Sequence, residues 1–167
     1  YMPIGRRVIH DAHKHGKLTV AEVIQKSSNI GSAKIALDLP AEAMWSMFND
    51  VGFGRLPKSG FPGEASGRVR YYKTWKPIEQ ATMSYGHGIS VSLMQLARSY
   101  MIFATDGEVK PITLLKRDGY PVSTLVLSSA TARSMRDMLE MAVQKGGTAP
   151  LARVPGSLAV ATIVTCA

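Results

Sequence analysis

The 167 residues carry a net charge of +8, with 46% apolar and 19% charged residues, a balance that excludes a disordered or fibrous chain and suits a single globular domain. The single Cys166 excludes an internal disulfide and a cysteine-rich zinc site. No stretch approaches the roughly 18 uninterrupted apolar residues of a membrane span, and YMPIGRRVIH lacks the apolar core of a signal peptide; if the protein is exported, its targeting element is expected outside these residues.

Near the start, HDAHKH offers His10, His13 and His15. Histidines at this spacing can bind zinc, but no carboxylate or cysteine set accompanies them, so a solvated loop competes with a metal site. TVAE then predicts a helix over 19–27: Thr19 can accept from a backbone N–H one turn in, and Glu22 can reach back to the cap. Val20, Val23 and Ile24 are its expected apolar face. The polar triplet Ser27-Ser28-Asn29 follows. Beyond it Ile30, Ala33, Ile35 and Leu37 predict a second short helix, Pro40 breaks the chain, and Met44, Met47, Phe48 and Val51 mark the buried face of a third helix over 41–50.

Seven Gly and Pro residues between Gly52 and Gly67 oppose regular structure and predict a long surface loop. In RVRYYKTWK (68–76), Arg68, Arg70, Lys73 and Lys76 alternate with Tyr71, Tyr72 and Trp75. That mixture suits phosphates and bases, but it lies in no recognised nucleic-acid motif, and the reading is a solvated loop with aromatic anchors and no nucleic-acid partner. SYGHG (84–88) precedes SLMQ (92–95), a second capping box that predicts a helix over 92–106 with the stripe Leu93, Leu96, Ala97, Tyr100, Met101 and Ala104, stopped by Gly107. A strand is expected near 111–116 from its β-branched and Leu content. Met135, Met138, Leu139, Ala142 and Val143 predict a last helix over 129–144, ended by Gly146-Gly147.

By its residue types alone, Ser-Ser-Asn between two helices is a capping element. Its neighbours change that reading. The order QKSSN (25–29), GFPGE (60–64), ATMSYGHG (81–88) and SLMQLARSY resembles the transpeptidase domain of class B penicillin-binding proteins, most closely the division-specific ones, over roughly residues 8–156. The signature of that family is a Ser-x-x-Lys nucleophile, a Ser-x-Asn element and a Lys-Thr/Ser-Gly strand. The resemblance implies an α/β fold: the helix-rich part of the penicillin-binding-protein (serine β-lactamase-like) fold, with its sheet strands incomplete, as a partial transpeptidase domain over 1–156. It also implies that Ser27 relays a proton between the nucleophile's lysine and the leaving amine, that Asn29 hydrogen-bonds the substrate's amide carbonyl, and that Ser28 points away. Tyr85, Gly86, His87 and Gly88 are expected to bind substrate. At His87 a groove-lining ring and a mere turn residue remain equally open.

No serine is followed three residues later by lysine, so the nucleophile is expected before Tyr1. Lys58-Ser59-Gly60 is a literal match to the third element, but it lies in the Gly/Pro loop and is read as a decoy. The true element is expected after ARVPG (152–156), where SLAVATIVTCA stands instead, with Thr162 about where the lysine belongs. Residues 157–167 therefore read as a divergent tail, the abruptness favouring a shifted reading frame or misjoined end. The resemblance implies peptidoglycan stem peptides and β-lactams as ligands, other division proteins as partners, no cofactor and no metal. It implies a place at the extracytoplasmic face of the cytoplasmic membrane through an anchor outside these residues. The isolated chain is expected to be inactive, and to leave an apolar face uncovered where the rest of the sheet would dock. A β-lactamase-like hydrolase and a non-catalytic scaffold are the alternatives.

Overall fold

The computed structural model describes residues 1–116, 118–119 and 121–153. Two units, interleaved in sequence, make up the chain.

The first unit takes in residues 1–41, 73–88 and 135–153 among the described residues. It opens with an antiparallel hairpin, β1 (Met2–Ile4) and β2 (Arg7–Ile9), registered by Pro3 opposite Val8; Gly5, at φ +58, makes its turn. The hairpin was not legible in the sequence because each strand is only three residues long. Helix α1 (Val20–Gln25) begins as expected: the Glu22 N–H donates to Thr19 Oγ1 at 3.3 Å and the Thr19 N–H donates to the Glu22 carboxylate at 2.7 Å. The Thr19 N–H and, beside it, the Thr19 hydroxyl, which donates to the same carboxylate at 2.9 Å, hold the Glu22 carboxyl below its ordinary pKa. Only Val23 of its apolar trio is buried; Val20, on the first turn, is exposed.

Helix α2 (Asn29–Asp38) buries Ala33 and Ala36 and leaves Ile35 exposed. It packs on α4 (Pro77–Met83), a helix not among those expected. The start signal was present in Lys76-Pro77-x-Glu79: proline at the first helical position, and a glutamate whose carboxylate accepts the Lys76 N–H at 2.7 Å. Small Ala33 and Ala81 let the two backbones approach. Ile9 completes that core, with Ile30, Leu37, Ile78 and Tyr85 around it, and Gln80 donates to the carbonyls of Ala36 (2.7 Å) and Leu39 (2.9 Å) at the end of α2. At the C-terminal side a 3-10 turn, Met141–Val143, packs on α1.

The second unit takes in residues 42–72 and 89–134. Its core is Val51, Phe53, Ile102 and Val109, flanked by Met47, Phe48 and Leu96 from α3 (Ala41–Asp50) and α5 (Leu93–Ala104). The α5 capping box is built as expected, the Ser92 N–H donating to Gln95 Oε1 at 2.7 Å, but the expected stripe is displaced. Leu93, Ala97 and Ala104 are exposed, while Gln95, Ser99 and Ile102 are buried. Gln95 causes the shift: its Nε2 shares its two N–H donors among the carbonyls of Gly52 (3.1 Å), Arg55 (2.8 Å) and Ser66 (2.8 Å), so the helix turns a polar residue inward to satisfy a loop.

The expected strand at 111–116 is absent; that segment is irregular. Strand β3 is instead Glu108–Val109, paired antiparallel with β4 (Thr124–Leu125), where the N–H groups of Val126 and Leu127 also reach the Gly107 carbonyl. Pro111 supplies no N–H to a ladder, which explains the early end. Helix α6 spans Ser129–Glu140, its expected last turn being the 3-10 turn already described. The tail from Ser157 and the expected third element near Thr162 lie outside the described residues.

Candidate functional site

Ser27 occupies the slot that closes α1. Its N–H donates to the Ile24 carbonyl at 3.2 Å and that of Ser28 to the Val23 carbonyl at 3.0 Å, the pair of bonds that defines a Schellman ending, with Ser27 in the left-handed residue position at φ +52. Glycine is the usual occupant there, because a β-carbon in left-handed backbone costs roughly 1–2 kcal/mol. Serine there carries that cost and places a hydroxyl at the joint.

Ser28 is buried and structural. Its hydroxyl accepts the Gly31 N–H at 2.9 Å, capping α2, and donates to Asp11 Oδ2 at 2.8 Å, while Asp11 Oδ1 accepts the Ile30 N–H at 2.9 Å. One carboxylate thus fastens the hairpin's exit to the start of α2. Asn29 comes next. Its Nδ2 donates to the His10 carbonyl at 3.1 Å, which fixes which end of the amide is nitrogen. Its Oδ1 is buried with no hydrogen-bond partner among the described residues. One N–H and one carbonyl oxygen of this amide are left to serve something else.

On the other side of Ser27 stands the turn after Met141–Val143. Lys26 Nζ donates to the Gly146 carbonyl at 2.6 Å, and Ser27 Oγ lies 3.3 Å from Thr148 Oγ1, either hydroxyl able to donate. Sequence reasoning missed Asp11, Lys26 and Thr148. Asp11 and Thr148 reach the triplet across 17 and 121 positions and Lys26 reaches Gly146 across 120, and nothing in the local pattern marks such pairings.

Tyr85–Gly88 follow α4, the helix packed on α2. Tyr85 packs against the Ile9, Ala33 and Ala81 cluster, as Ile30 does, and burial raises its phenol's pKa. His87 is exposed, its N–H donating to the Thr82 carbonyl at 3.1 Å, between Gly86 at φ +93 and Gly88 at φ +96. The structure thus brings Ser27 and Asn29 to one joint and sets SYGHG at the end of the neighbouring helix.

The other sequence candidates sit elsewhere. Lys58-Ser59-Gly60 is loop architecture: Glu64, the last residue of GFPGE, accepts the N–H groups of Lys58 (2.8 Å) and Ser59 (2.7 Å) and the Ser59 hydroxyl. The hydroxyl bond is the main reason the Glu64 carboxyl titrates below its usual range. Tyr71 and Tyr72 pack on Trp45, ring centroids 5.3 and 5.7 Å away, rather than standing as a platform for bases. The Tyr71 hydrogen bond, partial burial and Glu42 push the Tyr72 phenol up to about 12. No group of three histidine, cysteine or acidic side chains among the described residues is arranged to hold a metal.

A family model for the penicillin-binding protein transpeptidase domain matches residues 4–161. Over 153 residues the chain is 38% identical to the probable peptidoglycan D,D-transpeptidase PenA of Neisseria meningitidis, covering 92% of this chain and 26% of PenA. It is 33% identical over 148 residues to the peptidoglycan D,D-transpeptidase FtsI of Escherichia coli, covering 89% of this chain and 25% of FtsI. The solved transpeptidase domain of Burkholderia pseudomallei penicillin-binding protein 3 is 53% identical and superimposes with a TM-score of 0.86, covering 89% of this chain and 45% of that one. The chain thus spans about a quarter of the length of these curated relatives, and it belongs to the transpeptidase-domain family of the penicillin-binding proteins.

Proposed function

We propose that these residues form part of a peptidoglycan D,D-transpeptidase that cross-links the cell wall at the division septum. It works by serine acyl transfer at the extracytoplasmic face of the membrane, and β-lactams acylate it in place of stem peptides. The observation that carries this reading is the pairing of a hydroxyl in a glycine slot, Ser27, with the half-used amide of Asn29 two residues on.

In the first half-reaction a serine oxygen, its proton passing to the lysine of its own pair, attacks the carbonyl of the donor peptide, the C–N bond to the terminal residue breaks, and the departing amine takes up a proton. Ser27 is the group that hands that proton across, its own being replaced from the lysine of the nucleophile pair. Asn29 has one amide hydrogen to spare for the donor's amide carbonyl, and its buried Oδ1 is suited to a lysine ammonium or an N–H donor. In the second half-reaction an acceptor amine attacks the ester, its proton returns to the serine oxygen, and a new peptide bond is left. The nucleophile and the Lys-Thr/Ser-Gly strand come, on this reading, from chain flanking these residues. Tyr85–Gly88 line the substrate groove.

The test is covalent labelling by fluorescent penicillin of the protein carrying these residues with its flanking chain. A stable adduct is expected, formed at least about a hundredfold more slowly in Ser27→Ala, the usual scale for losing a proton-transfer group, and more slowly also in Asn29→Ala. The 167 residues alone, which hold no Ser-x-x-Lys, should take no label. Turnover of the penicillin would instead identify a β-lactamase-like hydrolase, and absence of any adduct a non-catalytic scaffold.

A further inference from the structure

We propose that Thr148 is a positioning residue for Ser27, its hydroxyl holding the Ser27 hydroxyl in the orientation that proton transfer requires. The inference rests on the transpeptidase reading above and adds to it a residue outside the three signature elements. The two oxygens are 3.3 Å apart. When Thr148 donates, the Ser27 proton is left pointing away from the 144–149 loop, and one of the serine's lone pairs is occupied; the rotor is then no longer free.

The loop that presents Thr148 is held in place by several bonds. Lys26, the residue before Ser27, donates to the Gly146 carbonyl at 2.6 Å. The Gly147 N–H donates to the Gln144 carbonyl and that of Ala149 to the Ala142 carbonyl, both at 2.9 Å. Gly147 passes so close to the chain that a β-carbon there would lie 2.1 Å from the Ala142 oxygen. Adjacent residues of one strand of chain, Lys26 and Ser27, therefore grip alternate residues of the other, Gly146 and Thr148. Thr148 itself is exposed. A hydrogen bond between two hydroxyls in contact with water adds little to stability, so a role in folding does not account for this arrangement, and orientation of the Ser27 hydroxyl does.

The rate of acylation by fluorescent penicillin, measured on the full-length protein, tests this. Thr148→Val, which keeps the shape and removes the hydroxyl, is expected to slow acylation on the order of tenfold, as a misplaced catalytic group does. Thr148→Ser should restore most of the rate and Thr148→Ala should not. In a Ser27→Ala background, Thr148→Val should cause no further loss, because the two act as one unit. Wild-type acylation in Thr148→Val alongside a slow Ser27→Ala would overturn the proposal and leave the transpeptidase reading standing. Losses that simply multiply in the double variant would overturn it too. Wild-type acylation in Ser27→Ala would remove the role given to Ser27, and this proposal with it.

Discussion

Gly31 lies so close to Val23 that a β-carbon on it would stand 2.4 Å from one valine methyl and 2.8 Å from the other. This contact sets how tightly α1 closes on α2, and so where the triplet between them is held. Valine in a helix has essentially one rotamer and cannot swing aside. For Gly31→Ala the gain in helix propensity, about 1 kcal/mol, is set against about 1–3 kcal/mol for overpacking. We expect a net loss of about 1 kcal/mol in chemical denaturation, recovered in part when Val23→Ala is added. A stabilised Gly31→Ala would show that the helices separate without cost.

Ser27→Gly should move stability and function in opposite directions. Glycine relieves the left-handed strain but enlarges the freedom of the unfolded chain, leaving a gain of about 0.5 kcal/mol. Acylation should fall as it does in Ser27→Ala. A glycine variant less stable than wild type would mean that the Thr148 contact supports the fold more than its exposure suggests.

Gln95 is buried and bonded to four separate backbone groups. Gln95→Leu keeps the volume but strands the carbonyls of Gly52, Arg55 and Ser66 and the Ser92 N–H. A loss of about 2–4 kcal/mol is expected, within the range for groups left buried and unpaired. Gln95→Glu, which cannot donate, should be nearly as damaging. A neutral Gln95→Leu would indicate that water reaches those carbonyls.

Glu64 gives the loop at 57–64 an acid sensitivity. Its carboxyl is depressed first by the Ser59 hydroxyl and then by backbone N–H groups, with burial opposing. A depressed carboxyl contributes stability above its unfolded value, about 4.3, and loses it as pH falls through the folded one. The melting temperature of Glu64→Gln should therefore lie below that of wild type at neutral pH, and the gap should close below about pH 4. A gap that stays constant down to acid pH would mean that the carboxylate's charge is not what orders the loop.

Capping chemistry was the part of this fold most open to reading from sequence. Thr19 with Glu22, and Ser92 with Gln95, start helices where their spacing predicts, because a capping box is a contract among neighbours three residues apart. The failures share a physical cause. The α5 stripe was misplaced because apolar periodicity cannot foresee that Gln95 turns inward to serve a distant loop, and the strand near 111–116 was placed on composition where Pro111 breaks the ladder. Ser27 and Asn29 were visible as types in a recognisable order. The backbone strain at Ser27, the buried oxygen of Asn29 and the reach of Asp11 and Thr148 belong to tertiary structure and leave no local trace.

The grip of Lys26 on Gly146 joins positions 120 apart, and that of Ser27 on Thr148 joins positions 121 apart. At ribosomal rates of about 5–20 residues per second, the triplet emerges on the order of ten seconds before the loop that completes its surroundings. Helices α1 and α2 must wait for about 120 further residues, and this late closure makes assembly slow. A ribosome that stops, or a protease that cuts, a few residues before Gly146 would leave both serines and the asparagine in place on an open joint. Whether the joint closes is therefore decided by residues translated long after the triplet itself.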